Sequence, residues 1–298
     1  MSTVFLVNPA SAGGATGRRW RRLSSFANPS GARGREMVSE GPGHLVTLAE
    51  QAVAEGATRI IAVGGDGTVH EVVNGILKAG NRDVELGVLP FGTGRDFARS
   101  LGLPKRFDRA LDTALFGGVR EVDLGRATYA GGDAWFANFA GAGISGAIAR
   151  RANRSSKLLG GRVAFLVSTV WVFAGWKSAR VEADVDGERR SGPMFELVAM
   201  NGPYAAGGMR IAPDARLDDG WLDCVIFGDV TKLDFLTTFP KIYSGRHLAH
   251  PKIELLRGRA VTIEADPPIP VVLDGEQAGT TPAHFEVVPG ALRVRVPA

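Results

Sequence analysis

The sequence predicts a doubly wound α/β domain followed by a mainly antiparallel β-sandwich. Over residues 1–125 short apolar runs alternate with helical patterns, and over residues 126–298 strand patterns mostly follow one another. Alternation with helices is typical of a parallel sheet covered on both faces, whereas successive strands separated by turns are typical of antiparallel sheets. We therefore expect two domains, 1–125 and 126–298, with the last strands able to return to the first domain.

The elements of the first domain follow from its apolar runs and helical periodicity. Each apolar run is short and is bounded by turn residues, such as the pair Asn8-Pro9. The predicted strands are Thr3–Val7, Arg35–Ser39, Arg59–Val63 and Glu85–Pro90. The predicted helices lie near Thr16–Phe26, Leu45–Glu55, Thr68–Lys78, Arg95–Leu101 and Phe107–Leu115.

The second domain is rich in strand patterns that turn signals separate. DVDGE (Asp184–Glu188) and VPG (Val288–Gly290) are two such signals. Helical patterns interrupt the strands around Leu158–Trp176 and Lys232–Tyr243. The predicted strands are Ala134–Ala140, Ser178–Val185, Arg189–Met200, Trp221–Phe227, Ala260–Ala265, Val271–Leu273, His284–Val288 and Ala291–Val296.

Cysteine content and apolar runs favour a cytoplasmic protein. Cys224 is the single cysteine, so no disulfide can form within the chain, and a small core residue is its expected role. The N-terminus MSTVFLVNPA lacks the features of a signal peptide. The strongest apolar run, Val163–Trp176, has 14 residues. Since roughly 18 are needed to cross a bilayer, this run predicts a buried or interfacial helix.

Positive charge is concentrated in the first half of the chain. The net charge is +4, but residues 1–162 hold 21 Lys/Arg against 14 Asp/Glu, and the remainder holds 14 against 17. Such an excess is either a solvated face or a surface that attracts an anionic membrane or phosphates. No stacking aromatics or binding motif accompany it, so we expect no nucleic-acid partner. The cations lie at Arg18–Arg22, Arg150, Arg151, Arg154, Lys157 and Arg162.

The stretch VGGDGTVHE, residues 63–71, combines a strand end, three glycines and a helix start. Glycines after a buried strand let a ligand approach the backbone, and the start of the helix near Thr68 favours a phosphate. A P-loop is excluded because no lysine followed by Ser or Thr is present, and the spacing is not G-x-G-x-x-G. The alternative is a structural turn without a ligand.

Two aspartates favour a ligand-binding turn over a purely structural one. Asp66 lies inside the glycine turn, where it would repel a phosphate unless Mg²⁺ bridged the two groups. The pattern recurs in Leu89–Pro104, in which a strand, a glycine turn with Thr93, Asp96 and a helix follow in order. In a parallel sheet both turns lie at the carboxyl edge, where ligands of open α/β folds bind.

A third acidic turn follows an apolar strand in VVLDGEQAG, residues 271–279. Asp274 and Glu276 flank a glycine, which is typical of an Asp-Gly hairpin turn. The functional interpretation is a general base together with a metal ligand. A hydroxyl that attacks a phosphoryl group needs a carboxylate within hydrogen-bond reach to accept its proton.

Five motifs resemble those of a known family. NPASAGG, GGDGTVHEVVNG, PFGTGRDFARSLG, DDGWLD and LDGE are similar in order and spacing to the lipid kinase family of bacterial diacylglycerol kinases and eukaryotic sphingosine and ceramide kinases. NAD kinases and phosphofructokinases share this catalytic fold more distantly. The resemblance covers nearly the whole chain, and the later motifs with the β-rich second half favour the lipid branch.

The resemblance implies a complete active site. Asp274 would be the proton acceptor, and Asp66, Asp96 and Glu276 would hold a catalytic Mg²⁺. A structural Mg²⁺ would bind the Asp219 side chain and the carbonyls of Arg216 and Trp221; the alternative for Asp218-Asp219-Gly220 is an Asx-type turn. ATP would lie against Asn8, Pro9, Ala10, Ser11, Ala12, Ser39, Gly65, Asp66, Gly67, Thr68, Val69, His70, Glu71 and Thr93.

Two residues depart from the family pattern. His70 and Arg95 stand where the family usually has asparagine. Arg95 would either strengthen phosphate contact as a fixed cation or pair with Asp96 and weaken metal binding.

The resemblance leaves alternatives open. It implies a lipid substrate, bound by the second domain with Val163–Trp176 as candidate contacts, and it is compatible with an anionic membrane surface and with a homodimer. The rivals are a kinase of a soluble acceptor such as NAD or a sugar, and a nucleotide-binding regulator without turnover.

Overall fold

The fold is described here from a computed structural model, which describes residues 2–27, 34–92, 95–154 and 169–298. The chain divides into two compact units. The first comprises Met1–Asp123 and Pro289–Ala298, and the second comprises Leu124–Val288. In the ranges described, no helix is long and apolar enough to cross a membrane.

Strands and helices alternate in the first unit. Two of the apolar runs become fully buried strands, since every residue of Thr3–Val7 and of Arg59–Gly64 is buried, whereas the edge strand Arg35–Val38 is mostly exposed. The strands are β1 (Thr3–Val7), β2 (Arg35–Val38), β3 (Arg59–Gly64), β4 (Glu85–Pro90) and the start of β5 (Gly118–Ala130). The helices are α1 (Ala15–Ala27), α2 (His44–Ala54), α3 (Asp66–Lys78), α4 (Asp96–Ser100) and α5 (Phe107–Phe116).

The central sheet of the first unit is parallel. Its described strands run in the order β2-β1-β3-β4-β17, where β17 (Glu276–Val296) contributes its last residues. β17 pairs with β4 through Arg293 with Glu85 and Val294 with Leu86. This is the flavodoxin-like strand order, in which ligands bind at the carboxyl edge between β1 and β3. The predicted doubly wound α/β domain is confirmed.

A buried ion network joins three strands of this sheet, β3, β4 and β17. Arg59 and Arg295 both donate to Oε2 of Glu85, from Nη2 at 2.9 and 2.6 Å, and Arg59 also donates to the Leu115 carbonyl at 2.8 Å. Burial alone would raise the pKa of Glu85, but the hydrogen bonds from the two arginines outweigh it and lower that pKa. The network ties β17 to β3 and β4 by charge as well as by backbone pairing.

The second unit is mainly antiparallel. Its strands are the end of β5, β6 (Gly132–Phe136), β7 (Phe139–Gly143), β8 (Ala179–Val185), β9 (Glu188–Met194), β10 (Glu196–Met200), β11 (Tyr204–Ala205), β12 (Met209–Arg210), β13 (Leu222–Phe227), β14 (Ile253–Gly258), β15 (Ala260–Ala265), β16 (Pro270–Leu273) and most of β17. Its helices are α6 (Ile144–Arg154), α7 (residues 169–175) and α8 (Lys232–Thr238), with 3-10 helices at Phe239–Ser244 and Arg246–Ala249.

Two strand rows meet at β17 in the second unit. One row runs β14-β13-β10-β7-β16-β17, and the other continues from β17 through β15 and β8 to β9. Side chains from both rows share one core, in which Phe136 and Phe285 pack edge to face at 6.1 Å between ring centroids. This shared core confirms the predicted β-sandwich.

Several predicted elements of the second unit need correction. The predicted strand Ala134–Ala140 is two strands separated by Ala137 and Asn138, and Arg189–Met200 is divided at Phe195. The two C-terminal strands are parts of one strand, β17, and β14 was not predicted. Apolar runs do not reveal these breaks, because buried residues continue through them. Most of the predicted helix Leu158–Trp176 lies outside the described residues, and α7 is its end.

Candidate active site

The turn after β1 meets the start of α3 between β1 and β3. Asn8 Nδ2 donates to Thr68 Oγ1 at 3.1 Å, and the Asn8 N–H donates to the Val63 carbonyl at 3.1 Å. Two residues predicted to contact ATP are thus joined where the strand order reverses. This is the position at which sheets of this strand order bind ligands.

The remaining residues of the first turn hold its shape. Asn8 Oδ1 accepts from the Ala10 N–H at 3.2 Å, and the hydroxyls of Ser11 and Thr16 are 2.6 Å apart. Ala12 has a φ of 54°, in the left-handed region. These bonds direct Pro9–Ala12 away from the sheet and into α1.

Ser39 and Glu71 occupy structural positions beside this edge. The Ser39 N–H donates to the Val7 carbonyl at 2.8 Å, and its hydroxyl donates to Gly41 at 2.9 Å. Glu71 Oε2 accepts from the Leu45 N–H at 3.0 Å, in the first turn of α2. Glu71 therefore joins α3 to α2, and its predicted contact with ATP stays a prediction.

Glycines allow the two acidic turns to approach closely. A Cβ added to Gly92 would lie 2.3 Å from the Gly65 Cα, and a Cβ on Gly64 would lie 2.1 Å from Thr68 Oγ1. Real Cβ atoms do not approach other atoms so closely, so both positions require glycine in this backbone. The glycine-rich pattern thus reflects backbone contact between the turns after β3 and β4.

Asp66 and Asp96 begin neighbouring helices. Asp66 is the first residue of α3, and its Oδ1 accepts from the Phe97 N–H of α4 at 3.2 Å. Asp96, the first residue of α4, is only 4% exposed, and Arg99 Nη1 lies 2.5 Å from its Oδ1. The structure therefore brings these two predicted metal ligands together at one edge of the sheet.

The donor set formed by Asp66 and Asp96 fits Mg²⁺. Carboxylate oxygens are hard donors, and Mg²⁺ is commonly held by one or two carboxylates together with substrate phosphates. Within the described ranges, no group of three or more His, Cys, Asp or Glu side chains is placed to hold a metal ion by itself. A set of two carboxylates leaves coordination positions for phosphate oxygens and water.

Other predicted residues of these turns differ in burial. Val69 is 3% exposed and packs in the core, whereas Gly67 and His70 are partly exposed. The His70 carbonyl accepts from Asn74 Nδ2 at 2.8 Å. Arg95 precedes α4 with φ 54° and ψ 40°, a left-handed conformation that asparagine adopts more readily than arginine. Thr93 lies outside the described residues.

Asp274 is held by three backbone amides within the second unit. Its Oδ2 accepts from the Ala137 N–H at 2.8 Å, and its Oδ1 accepts from the N–H groups of Asn138 at 2.8 Å and Phe139 at 3.1 Å. These donors come from the break between β6 and β7. The sequence did not predict these three amide donors, because the pattern of Ala134–Ala140 indicates one continuous strand.

Asp274 also forms the hairpin turn that its sequence predicts. Asp274 and Gly275 have φ values of 49° and 94°, and Leu273 pairs with Glu276 across the turn. Glu276 is exposed. Because a two-residue turn with positive φ at both positions selects Asp-Gly, the turn accounts for these residue types without any catalytic role.

A second hairpin has the same construction. Asp186 and Gly187 have φ values of 48° and 93°, Val185 pairs with Glu188, and the Asp186 carboxylate accepts from the N–H groups of Arg259 and Ala260. Backbone geometry therefore does not distinguish Asp274 from Asp186. Asp186 serves as an internal comparison for the predicted base.

Asp219 forms an Asx-type turn and an ion pair. Its Oδ1 accepts from the Trp221 N–H at 3.2 Å, and its Oδ2 pairs with Arg257. The Arg257 guanidinium lies 5.6 Å from the centre of the Trp221 ring, and Arg216 lies 3.5 Å from Asp218. The Trp221 amide and the Arg257 guanidinium occupy the Asp219 carboxylate in this structure, and the structural Mg²⁺ that the resemblance implies at Asp219, Arg216 and Trp221 stays a prediction.

Comparisons with known proteins identify two domains in the chain. Residues 2–127 match the diacylglycerol kinase catalytic domain, and residues 138–296 match the YegS C-terminal NAD kinase β-sandwich-like domain. The chain is 35% identical to a Chromohalobacter salexigens protein named "Probable lipid kinase YegS-like", covering 86% of this chain and 81% of that protein. It is 31% identical to a Bacillus subtilis diacylglycerol kinase, covering 82% and 79%.

Solved structures support the fold alone. The crystal structure of a diacylglycerol kinase from Bacillus anthracis superposes with a TM-score of 0.71 at 21% identity, covering 99% of this chain and 96% of that one. A further chain from the same organism gives a TM-score of 0.79 at 23% identity. Because both domains match and the sequence identity to these relatives extends over most of the chain, the chain belongs to the diacylglycerol kinase family, which includes the YegS-like lipid kinases.

Proposed function

We propose that this protein is an ATP- and Mg²⁺-dependent lipid kinase that transfers the γ-phosphoryl group of ATP to a lipid hydroxyl. One observation carries the proposal: the Asp66 carboxylate reaches the first turn of the helix that Asp96 begins. Two acidic helix starts at the carboxyl edge of a parallel sheet combine amide donors for phosphates with carboxylates for a metal ion. Family membership supports the choice of a kinase.

The first unit binds the nucleotide in this proposal. Asn8, Thr68 and the glycine turns line the carboxyl edge of the sheet, where bare backbone can approach a triphosphate. Asp66 and Asp96 would hold Mg²⁺, which neutralises phosphate charge when it is bound, and the predicted ligand role of Glu276 stays a prediction. Phosphoryl transfer requires little covalent chemistry from the protein, so positioning and charge neutralisation supply most of the acceleration.

Asp274 orients the acceptor hydroxyl and accepts its proton. The three amide donors hold the carboxylate in one orientation, and a carboxylate can accept more than three hydrogen bonds in total. The proton on the attacking hydroxyl therefore passes to a carboxylate that is already positioned. The lipid identity of the acceptor rests on the family, whose named relatives include diacylglycerol kinases.

The test is transfer of radiolabelled γ-phosphate to a panel of acceptors in detergent. The panel contains diacylglycerol, monoacylglycerol, a sphingoid base, NAD and a sugar, each with and without Mg²⁺. We expect that a lipid is phosphorylated and that its phosphorylation requires Mg²⁺. Labelling of NAD or the sugar alone would identify a kinase of soluble acceptors instead.

Asp274→Asn tests the proposed base, and Asp186→Asn is its matched control. Both substitutions keep the size of the side chain and fall in hairpin turns of the same backbone geometry. We expect Asp274→Asn to lower kcat by about 100-fold or more, as for loss of a general base, with ATP binding retained. Asp186→Asn should leave kcat unchanged. Equal rates for both variants would contradict the role of Asp274. ATP binding by the wild type and by Asp274→Ala without transfer to any acceptor would favour a nucleotide-binding regulator.

A further inference from the structure

Five of the ten large apolar side chains that are exposed in the described part of the chain lie on neighbouring helices of the second unit. They are Leu233 and Leu236 of α8, Tyr243 of the following 3-10 helix, and Val170 and Trp171 of α7. Each is more than half exposed, from 53% for Tyr243 to 71% for Leu233. We call these five residues the apolar patch. Large exposed apolar areas on a protein surface usually mark an interaction site.

Aromatic packing fixes the patch to the body of the unit. The centroid of the Phe235 ring on α8 lies 4.3 Å from the ring centroid of Phe173 on α7 and 5.6 Å from that of the buried Phe195. Phe239 continues the stack at 5.0 Å from Phe235, and Lys232 Nζ donates to the carbonyl of Ala174 at the end of α7. The inward side chains of α7 and α8 thus form one layer, and the patch residues are left on the solvent side.

Basic residues surround the patch. Residues 169–177 and 229–252 together contain five Lys or Arg residues and two acidic residues, Asp229 and Asp234. Asp234 is already paired with Lys252 at 2.7 Å, whereas Lys177, Lys241 and Arg246 are exposed. Arg150 and Arg151 line an adjoining cleft of about 590 Å³ beside Trp171, and the Arg151 guanidinium lies 3.7 Å from the centre of the Trp171 ring.

We propose that the apolar patch docks into the surface of an anionic lipid bilayer. Short helices that present leucine, tryptophan and tyrosine above a basic rim lie in the bilayer interface, with the apolar side chains in the acyl boundary and the cations at the headgroups. A second copy of the chain is the less suitable occupant, because a two-fold contact would bring the same cations together. The choice of a bilayer rests in part on the lipid acceptor proposed above.

Vesicle binding by the full chain tests this docking. The protein is sedimented with phosphatidylcholine vesicles that contain or lack phosphatidylglycerol, without ATP and without any acceptor lipid. We expect binding that depends on phosphatidylglycerol and weakens with salt. Leu233→Ser with Leu236→Ser should weaken it by roughly tenfold or more, since both apolar side chains leave the acyl boundary. Phe116→Ser, at a residue 72% exposed in the first unit, should bind as the wild type.

A fluorescent label tests insertion directly. Cys224 is 1% exposed, and burial raises the pKa of its thiol to about 12, so it does not compete for a thiol-reactive dye. An environment-sensitive dye on Leu236→Cys should shift to shorter wavelength when phosphatidylglycerol vesicles are added. The same dye on Phe116→Cys should not shift.

Three outcomes would overturn the docking proposal. They are no vesicle binding by the wild type, equal binding by the Leu233→Ser, Leu236→Ser variant, and a wild-type dimer that this variant dissociates while vesicle binding is unchanged. Transfer to a detergent-dispersed acceptor separates this proposal from the kinase. Normal transfer without vesicle binding would contradict docking alone, and vesicle binding without transfer to any acceptor would contradict the kinase alone.

Discussion

Gly92 and Gly65 decide how closely the acidic turns approach each other. No space exists for a Cβ at Gly92, since it would lie 2.3 Å from the Gly65 Cα. The positions of the helix starts at Asp66 and Asp96 therefore depend on the absence of side chains at Gly65 and Gly92.

Gly92→Ala should separate the two turns. We expect ATP affinity to fall by at least about tenfold and the free energy of unfolding to fall by about 1–3 kcal/mol, as for other overpacked sites. Isothermal titration with ATP and urea denaturation measure the two effects. Gly118→Ala is the matched control, because a Cβ there meets no atom within 4 Å. Equal effects of the two substitutions would contradict this interpretation.

Glu196 is a buried carboxyl outside the predicted active site. Burial raises its pKa to about 7, although hydrogen bonds from the Ser145 hydroxyl and N–H oppose the shift. A glutamate in an unfolded chain has a pKa of about 4.3. Between these two pH values the folded chain keeps a proton that the unfolded chain has lost, so the free energy of unfolding falls as pH rises.

Glu196→Gln should remove this pH dependence. The wild type should lose about 3 kcal/mol from this group between pH 4 and pH 7, and the variant should not, because glutamine does not titrate. Urea denaturation at a series of pH values measures the difference. Glu182→Gln, at an exposed position on β8, should retain the wild-type slope. Identical slopes for wild type and Glu196→Gln would refute the assignment.

At the scale of elements, the turn before β13 is closed by an internal cation. Arg257 on β14 pairs with Asp219, lies 3.9 Å from Asp223 and lies over the Trp221 ring. A guanidinium there provides the positive charge that the sequence resemblance assigned to a structural Mg²⁺.

Arg257→Ala should destabilise this turn modestly. Because Arg257 is partly exposed, we expect the free energy of unfolding to fall by about 1 kcal/mol. Removal of divalent ions with a chelator should leave the melting temperature of the nucleotide-free wild type unchanged. A large drop in melting temperature on chelation, reversed by added Mg²⁺, would support the structural metal site instead.

At the scale of the whole molecule, the end of the chain completes the first unit. Pro289–Ala298 belongs to that unit, and the last residues of β17 pair with β4. Arg295 there donates to Glu85, whose carboxylate is otherwise held by Arg59.

Arg295→Ala should weaken the first unit. Loss of a charged hydrogen bond at a buried carboxylate costs about 1–3 kcal/mol, which urea denaturation would measure. Arg293→Ala is the control, since the Arg293 guanidinium makes a long exposed contact of 3.5 Å with the Asp83 carbonyl. If both variants were equally stable, the network would not contribute to the stability of the unit.

Local patterns carried the prediction of the first unit. Strands β1 and β3 are short and fully buried, and glycine turns follow β3 and β4, so periodicity and turn residues indicate these elements without tertiary information. The second unit was harder to predict from its apolar runs, because burial continues through Ala137 and Phe195, where the strands break.

Residue type and local order were enough to predict the fold class, the family and the acidic turns at Asp66, Asp96 and Asp274. The groups that contact the acidic side chains follow from the folded structure alone: the Phe97 amide at Asp66, the three amides at Asp274 and Arg257 at Asp219. These partners come from distant segments. Their meeting depends on strand pairing and packing across each unit, which no local stretch of sequence encodes.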